Sequence, residues 1–436
     1  MYICKIFFGD RSVCTSLWKE GVSKKSDSEK KGLEYEDNKN KMTKRELYLF
    51  NPDNDLSLAS GEVNYMPPAT ARRMAEELAL LPAWYASAGS AVLAPSAYNL
   101  AFLREMQECL SLPVELVTEP EVASISNLKP VPWGWNPALK RRLRCLGMPE
   151  TELPAEPYLE KLRHLSHRSQ AVELLPRLQL DESFCGESFY LTQPEEWCRF
   201  VESRASCLLK APLSGSGKGL NWCKGAYTAF IAGWCKRVAA LQGGIIAEPV
   251  YNKVIDFAME FFSDGVGKVV FVGYSIFSTN ASGAYDGNLL LPDEEIERRL
   301  SAYVPKVSFD RLKRKLEEEL SSRFGSVYSG YLGVDMMVCR FPSGEVEYRI
   351  HPCVEINLRM NMGVVAHFIY KRYVMSGASG RFLITYHPVS GEAMQAHEQM
   401  RAGYPLQLKE EKVVAGYMPL VPVTNRSAYR AWIEVG

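Results

Sequence analysis

From residue 47 onward, short apolar runs alternate with segments whose apolar residues recur at helical spacing. The strand-like runs in the first third of the chain are Leu47–Phe50, Ala91–Ala94 and Val114–Val117. The helical patterns that alternate with them are Ala69–Leu81, Asn99–Leu110 and Ala138–Leu146. Strands that alternate with helices are typical of an α/β layer with a mainly parallel sheet. We therefore expect ligands beyond the carboxyl ends of these strands.

The second half has longer strand patterns. It begins with a buried strand, a Gly-rich loop and a helix, and the strands that follow are mostly apolar. The predicted elements are strands at Cys207–Ala211, Gly244–Val250, Val254–Phe262, Lys268–Thr279, Gly333–Cys339 and Val346–Leu358, and a helix at Ala226–Leu241. A further amphipathic helix is predicted over Ser308–Phe324, because Leu312, Leu316 and Leu320 fall on one stripe. Ser308 is its predicted N-cap.

The N-terminal segment differs in composition from the rest. Residues Lys19–Glu46 are rich in charged and small polar side chains and nearly free of large apolar ones. Such a segment buries too little surface to offset the entropy of ordering it. We expect residues 1–45 to be a disordered tail, or Met42 to be the true start.

Composition excludes several classes of protein. Lys plus Arg and Asp plus Glu both number 51 in 436 residues, so no net charge attracts the chain to nucleic acid or to an anionic membrane. The 11 cysteines include no Cys-x-x-Cys pair, which argues against a disulfide scaffold and a cysteine zinc site. Leu78–Leu103 carries no charge, but Pro82, Gly89 and Pro95 interrupt it, so we expect no membrane span. Reduced cysteines favour a cytoplasmic protein.

The run Lys210-Ala-Pro-Leu-Ser-Gly-Ser-Gly-Lys-Gly219 is a candidate phosphate loop. Small residues let backbone N–H groups approach phosphate oxygens, and the two lysines supply positive charge. It is not a Walker A loop, because Pro212 stands at the first glycine position and Gly219 replaces the hydroxyl residue. A flexible surface turn explains the loop nearly as well.

A second candidate site is Glu355-Ile-Asn357-Leu-Arg359. Residues two apart on a strand share a face, so these three polar side chains project together. Carboxylate and carboxamide oxygens suit Mg²⁺, and the arginine offers a planar fork for phosphate or carboxylate. Asp335, alone in an apolar strand, needs a cation or a hydrogen-bond partner. An ordinary internal salt bridge between Asp335 and Arg359 is the alternative.

Other segments have weaker signals. Glu248-Pro-Val250 ends a strand where free backbone groups could recognise an adenine edge, and Asp256 follows in an apolar run. Asn51-Pro-Asp-Asn-Asp55 follows the first strand and is either a substrate loop or, more simply, an Asx-rich turn. His351 and His367 are more simply structural than acid–base groups.

In this order, these motifs resemble the ATP-grasp superfamily over roughly residues 165–375. The Glu-x-Asn-x-Arg pattern is close to that of biotin carboxylase and carbamoyl-phosphate synthetase. The resemblance implies phosphate or nucleotide contacts for Lys210, Ser214, Gly215, Ser216, Gly217, Lys218 and Arg168, adenine contacts for Glu248 through Val250, and a ribose contact for Asp256. It implies magnesium ligation by Asp335, Glu355 and Asn357, and catalytic roles for Arg359 and Lys218.

The resemblance also implies an architecture. It predicts an α/β fold with an N-terminal pre-grasp domain at residues 46–175 and a two-lobed ATP-grasp domain. The small lobe is expected at residues 176–250 and the large lobe at 251–400, followed by a C-terminal extension at 401–436.

The implied activity is an ATP- and Mg²⁺-dependent ligase. Such an enzyme activates a small-molecule or peptide carboxylate as an acyl phosphate, which an amine or thiol then attacks. A small-molecule kinase and a nucleotide-binding module without turnover are the alternatives. No nucleic-acid or membrane partner is expected, and a homo-oligomer stays open.

Overall fold

The computed structural model describes residues 44–95, 97–215, 219–280, 283 and 285–436. The predicted tail, or alternative start, therefore lies almost wholly outside the described residues. Lys44–Gly436 clusters as one unit by its internal contacts. Its elements mix helices and sheets, which confirms the expected α/β class. The domain boundaries at residues 175, 250 and 400 stay predictions.

The first sheet is parallel, as the alternating pattern predicts. The elements of this region are β1 (Arg45–Leu49), α1 (Asn54–Ser60), α2 (Ala69–Glu77), β2 (Ala91–Leu93), α3 (Ala97–Cys109), β3 (Glu115–Val117), β4 (Leu128–Pro132), α4 (Pro137–Cys145), α5 (Glu156–Leu165) and α6 (Ser169–Leu178). The strand order is β3-β2-β1-β4. In this order the loops after β1 and β4 emerge side by side, because the two strands are parallel neighbours.

The second sheet has four antiparallel strands and carries the start of the Gly-rich loop. Its elements are β5 (Phe189–Leu191), α7 (Pro194–Glu202), β6 (Cys207–Lys210), β7 (Leu220–Cys223), α8 (Ala229–Gln242) and β8 (Ile245–Pro249). The strand order is β5-β8-β6-β7, so β6 and β8 are neighbours. The Gly-rich loop joins β6 to β7.

The third sheet has nine strands. Its region comprises β9 (Lys253–Asp264), β10 (Val269–Thr279), β11 (Tyr285–Leu290), α9 (Asp293–Leu300), α10 (Lys306–Phe324), β12 (Ser329–Arg340), β13 (Tyr348–Asn357), α11 (Met362–Tyr373), β14 (Gly380–Tyr386), α12 (Glu392–Gly403), β15 (Gln407–Lys409), β16 (Lys412–Pro419) and β17 (Tyr429–Val435). The order is β13-β12-β9-β10-β11-β14-β17-β16-β15. The sheet thus runs through both the predicted large lobe and the predicted C-terminal extension.

Helix α10 confirms the predicted apolar stripe. Leu312, Leu316 and Leu320 are fully buried and lie in one core cluster with residues of β9, β10 and β12. Burying each leucine side chain stabilises the fold by about 2 kcal/mol. The predicted N-cap is wrong, because the helix begins at Lys306 directly after Pro305, and Ser308 lies inside it. Proline favours helix starts, since its φ is fixed near the helical value.

None of the helices in the described parts of the chain is long and apolar enough to cross a membrane. The uncharged stretch at residues 78–103 is divided among a 3₁₀ turn at Leu81–Trp84, β2 and the start of α3. Most of its buried residues pack in one core cluster with residues of α11, β16 and β17, whereas Ala91 and Leu93 belong to a second cluster. The proline and glycine residues thus act as turn signals, as the sequence indicates.

Candidate functional site

One cavity of about 410 Å³ brings most of the predicted site residues together. Its lining includes Arg168, Lys210, Gly215, Glu248, Val250, Asp256, Asp335, Glu355, Asn357 and Arg359. Ser214 contacts Arg168 at its edge, through a hydrogen bond of 2.7 Å from Nη1 to Oγ. Ser216, Gly217 and Lys218 lie outside the described residues. The cavity therefore draws its walls from the second and third sheets, and Pro52 and Trp133 add residues from the loops that follow β1 and β4.

Strand pairing explains the predicted oxygen ligands. In the β12–β13 register, Asp335 is directly opposite Glu355, and Gly333 is opposite Asn357. Asn357 Nδ2 donates to Asp335 Oδ2 at 3.0 Å. Two carboxylates and one carboxamide thus share one patch of the cavity wall. Among the described residues, no group of three or more His, Cys, Asp or Glu side chains is arranged as a metal site.

The electrostatics of this patch nevertheless fit a divalent cation. Burial, Glu355 and Glu260 together raise the pKa of Asp335 to about 8. Like charges so close disfavour each other's ionised form, and a bound cation reverses that effect. The donors are hard oxygens, which Mg²⁺ prefers, and Mg²⁺ needs only a few protein ligands beside water and phosphate. The residues present therefore fit magnesium.

Arg168 joins the Gly-rich loop to this patch. Its Nη2 lies 2.7 Å from Glu355 Oε1, and its Nη1 donates to the carbonyl of Ala211 at 2.6 Å. A further bond of 3.1 Å runs from Nη2 to the carbonyl of Ser214. The side chain is buried, and it comes directly before α6. Arg168 thus holds the described start of the loop against Glu355.

Lys210 and Glu248 form a buried ion pair. Lys210 Nζ lies 2.6 Å from Glu248 Oε2, and Ser188 Oγ donates to the other carboxylate oxygen at 3.0 Å. Both side chains are buried, and they lie on the neighbouring strands β6 and β8. Losing one partner of a buried pair is strongly destabilising, because the other charge is left without compensation. The Glu248 carboxylate therefore fixes the ammonium group at the cavity wall.

Apolar side chains also line the cavity. Leu208, Trp222, Val250, Met336 and Met337 are among them. Val250 lies just beyond the end of β8, so its backbone is outside the strand ladder. Aromatic and aliphatic side chains, together with free backbone groups, suit a flat heteroaromatic ring.

Asp256 lines the same cavity from β9. Lys253 donates to its carboxylate, and Thr279 Oγ1 lies 3.5 Å from Oδ2. Burial raises the pKa of Asp256, and Lys253 opposes that effect. The carboxylate is thus a hydrogen-bond acceptor at the cavity wall, which is chemically suited to hydroxyl groups such as those of a ribose.

Two acidic residues of the site were missed as individual candidates. Asp55 forms an ion pair with Arg359, so the predicted alternative pairing of Arg359 with Asp335 is not the one that forms. Glu260 is fully buried, with Asn361 Nδ2 donating to it at 2.8 Å and Ser275 Oγ at 3.0 Å. A lone acid within the apolar run Phe257–Phe262 was the available signal for Glu260. The partner of Asp55 lies 304 residues away, and no local pattern indicates it.

His351 is buried and lacks a hydrogen-bond partner at either ring nitrogen within the described structure. Its ring packs on Tyr251 with centroids 5.5 Å apart. Burial lowers the pKa of His351 from 6.5 to about 4. The histidine is therefore neutral at pH 7 and structural, as the sequence favours.

This burial makes a pH prediction. Between pH 6.5 and 4 the unfolded chain binds a proton at His351 that the folded chain does not, so stability falls as pH decreases. The loss by pH 4 is about 3 kcal/mol from this residue. The unfolding free energies of wild type and His351→Phe can be measured by urea denaturation at pH 7 and at pH 5. The decrease in unfolding free energy from pH 7 to pH 5 should be smaller in the variant than in wild type. Equal losses in both proteins would contradict this assignment.

No family model matches the chain, and no curated protein matches it. Solved structures are similar at low identity. N5-carboxyaminoimidazole synthetase from Staphylococcus aureus complexed with ADP is 9% identical with a TM-score of 0.44, covering 90% of this chain and 94% of that one. The biotin carboxylase complex with β,γ-ATP from Campylobacter jejuni is 11% identical with a TM-score of 0.47, covering 91% and 88%. These scores are too low to assign a function, so we base it on the site.

Proposed function

We propose that the protein is an ATP- and Mg²⁺-dependent ligase that joins a carboxylate to an amine or thiol, with an ATP-grasp type of site. One observation carries this proposal. The cavity of about 410 Å³ combines apolar side chains, four cationic side chains and a patch of oxygen ligands. A nucleoside triphosphate offers the matching groups, a flat base and charged phosphates.

Different residues of the cavity would bind the base, the ribose, the phosphates and the metal ion. The apolar side chains of the cavity would hold the base, and Asp256 would accept hydrogen bonds from ribose hydroxyls. Lys210, fixed by Glu248, would lie along the phosphates. Asp335, Glu355 and Asn357 would hold Mg²⁺, which when bound neutralises phosphate charge during transfer.

Arg359, which lines the cavity, would supply donors to the developing charge of a phosphoryl transfer. Its planar fork suits both a transferring phosphoryl group and an acyl phosphate. In the proposed reaction the substrate carboxylate takes the γ-phosphoryl group and ADP leaves. The amine or thiol then displaces inorganic phosphate and releases one proton. The substrates are small-molecule or peptide carboxylates and amines.

A trapping experiment tests the reaction class. Purified protein is incubated with ATP, Mg²⁺, hydroxylamine and pools of carboxylic acids, and hydroxamate, ADP and inorganic phosphate are measured. A ligase yields all three in equal amounts, because hydroxylamine intercepts the acyl phosphate. A kinase yields ADP and a stable phosphorylated product without hydroxamate. Absence of ADP from every pool, with nucleotide bound, would instead indicate a module without turnover.

A cytoplasmic location belongs to the same proposal. Nine cysteines of the described structure are free thiols, five of them buried. Free thiols persist in reducing compartments.

A further inference from the structure

Asp55 forms an ion pair with Arg359, which lies in a distant part of the chain. The Nε of Arg359 lies 2.9 Å from both carboxylate oxygens, and its Nη2 lies 2.7 Å from Oδ2. This is the two-pronged arrangement that fixes the plane of a guanidinium group. Asp55 lies in α1, beyond β1 of the first sheet, whereas Arg359 follows β13 of the third. The contact therefore joins the N-terminal part of the chain to the candidate site.

The remaining donors of Arg359 can be counted. A guanidinium group has five N–H bonds. Asp55 takes the Nε bond and one at Nη2, and the carbonyl of Met360 takes one at Nη1, at 3.1 Å. Within the described structure, one N–H at each Nη is left for a ligand. Because Arg359 lines the cavity, these two donors are available to an oxyanion there.

Asp55 is itself held in place. Asn51 Nδ2 donates to the carbonyl of Gly134 at 2.8 Å, and the amide of Gly134 donates back at 3.3 Å. Asn54 is buried beside Asn136, with a contact of 2.9 Å between their amide groups. The Asn51–Asp55 segment is thus locked to the loop after β4, the neighbouring strand of the parallel sheet.

Asp55 also lies against the Gly-rich loop. A Cβ placed on Gly215 would lie 2.9 Å from Asp55 Oδ2, so the backbone of the loop passes close to this carboxylate. One carboxylate therefore lies between the described start of the predicted phosphate loop and the arginine at the predicted reaction centre. An ion pair with only a structural role would not need to lie next to the predicted phosphate loop or the predicted reaction centre.

We propose that Asp55 is a positioning residue that orients the Arg359 guanidinium so that its two remaining N–H groups face the transferring phosphoryl group. This role rests on the proposed function, because it assumes that a phosphoryl group reaches Arg359. Asp55 also lines the cavity, but both of its carboxylate oxygens accept hydrogen bonds from Arg359, so we expect it to act through the arginine. Its effect is therefore expected in the transition state and not in ground-state binding of ATP.

Calorimetry with two probes separates these states. ATP with Mg²⁺ reports ground-state binding, and ADP with Mg²⁺ and aluminium fluoride mimics the transferring phosphoryl group. Asp55→Asn keeps the size of the side chain but removes its charge. We expect the affinity for ATP to change less than threefold and the affinity for the ADP–aluminium fluoride complex to fall at least 30-fold.

Two further variants control this result. Asp53→Asn changes an acid two residues away that lines a separate cavity of about 390 Å³, and it should leave both affinities unchanged. Asp55→Glu keeps the charge but shifts the carboxylate, and it should weaken the aluminium fluoride complex about three- to tenfold while leaving the affinity for ATP unchanged. This variant also supplies the test if Asp55→Asn does not fold.

The outcomes separate the two proposals. If wild type binds neither probe, the proposed function fails, and the positioning role fails with it. If wild type binds both and Asp55→Asn weakens them equally, the ligase proposal survives and Asp55 is only structural. Unchanged affinities for both probes in folded Asp55 variants would likewise overturn the positioning role alone.

Discussion

Replacing Lys210 by methionine is expected to abolish ATP turnover and to destabilise the protein. The ammonium group is lost from the cavity wall, and within the described residues the buried Glu248 carboxylate keeps only the hydrogen bond from Ser188. Breaking a buried ion pair from one side costs about 3–5 kcal/mol. Turnover, measured as ADP release, should fall at least 100-fold. Chemical denaturation of the same variant measures the stability loss.

The double variant Lys210→Met/Glu248→Gln separates the two effects. Its second substitution removes the stranded charge, so much of the lost stability should return. Turnover should stay absent, because the phosphate-facing cation is still missing. Recovery of ADP release in the double variant would show that Lys210 serves only to neutralise Glu248.

Substituting Arg359 by lysine is expected to have the next largest effect on activity. Lysine keeps a positive charge near Asp55 but cannot present a planar fork with donors on two sides. Losing one preorganised donor at a developing charge costs about 3–4 kcal/mol of transition-state stabilisation. We expect kcat to fall by about 100- to 1000-fold while the Kd for ATP with Mg²⁺ changes less than threefold.

Arg381→Lys is the matched control. Arg381 is exposed and pairs with Glu434 on β14 and β17, two strands that contribute nothing to the cavity lining. Its kcat should equal that of wild type. A kcat for Arg359→Lys within threefold of wild type would mean that the fork does not act on the reacting group.

Local periodicity predicted much of the fold, and its failures have physical causes. Four strands of the third sheet, β9, β10, β12 and β13, were predicted, because long alternating or apolar runs favour one structure strongly. Strands β11 and β14–β17 of the same sheet were not predicted. Strand β4 was missed because Pro130 and Pro132 remove ladder donors, which is tolerated here at the sheet edge. The helix predicted over Ala69–Leu81 ends at Glu77, and a 3₁₀ turn with Pro82 follows.

The site was predictable where one strand carries its residues. Glu355 and Asn357 share a face by simple alternation, and the lone acid Asp335 stands out in its apolar strand. Contacts between strands were not predictable. The pairing of Lys210 with Glu248 depends on β6 lying beside β8, and that of Asp55 with Arg359 on the loop after β1 meeting the end of β13. Sheet order and long-range packing decide such contacts, and a single sequence does not encode them locally.

Calorimetric titration of ATP, with and without Mg²⁺, into wild type and Glu355→Ala tests the central claim most directly. Glu355 belongs to the predicted magnesium ligands and also pairs with Arg168 at the loop. The proposed site predicts binding that requires Mg²⁺ in wild type and is lost in the variant, with both proteins folded by circular dichroism. The central claim would be contradicted if wild type bound no nucleotide under either condition. It would also be contradicted if the affinity for ATP depended neither on Mg²⁺ nor on the substitution.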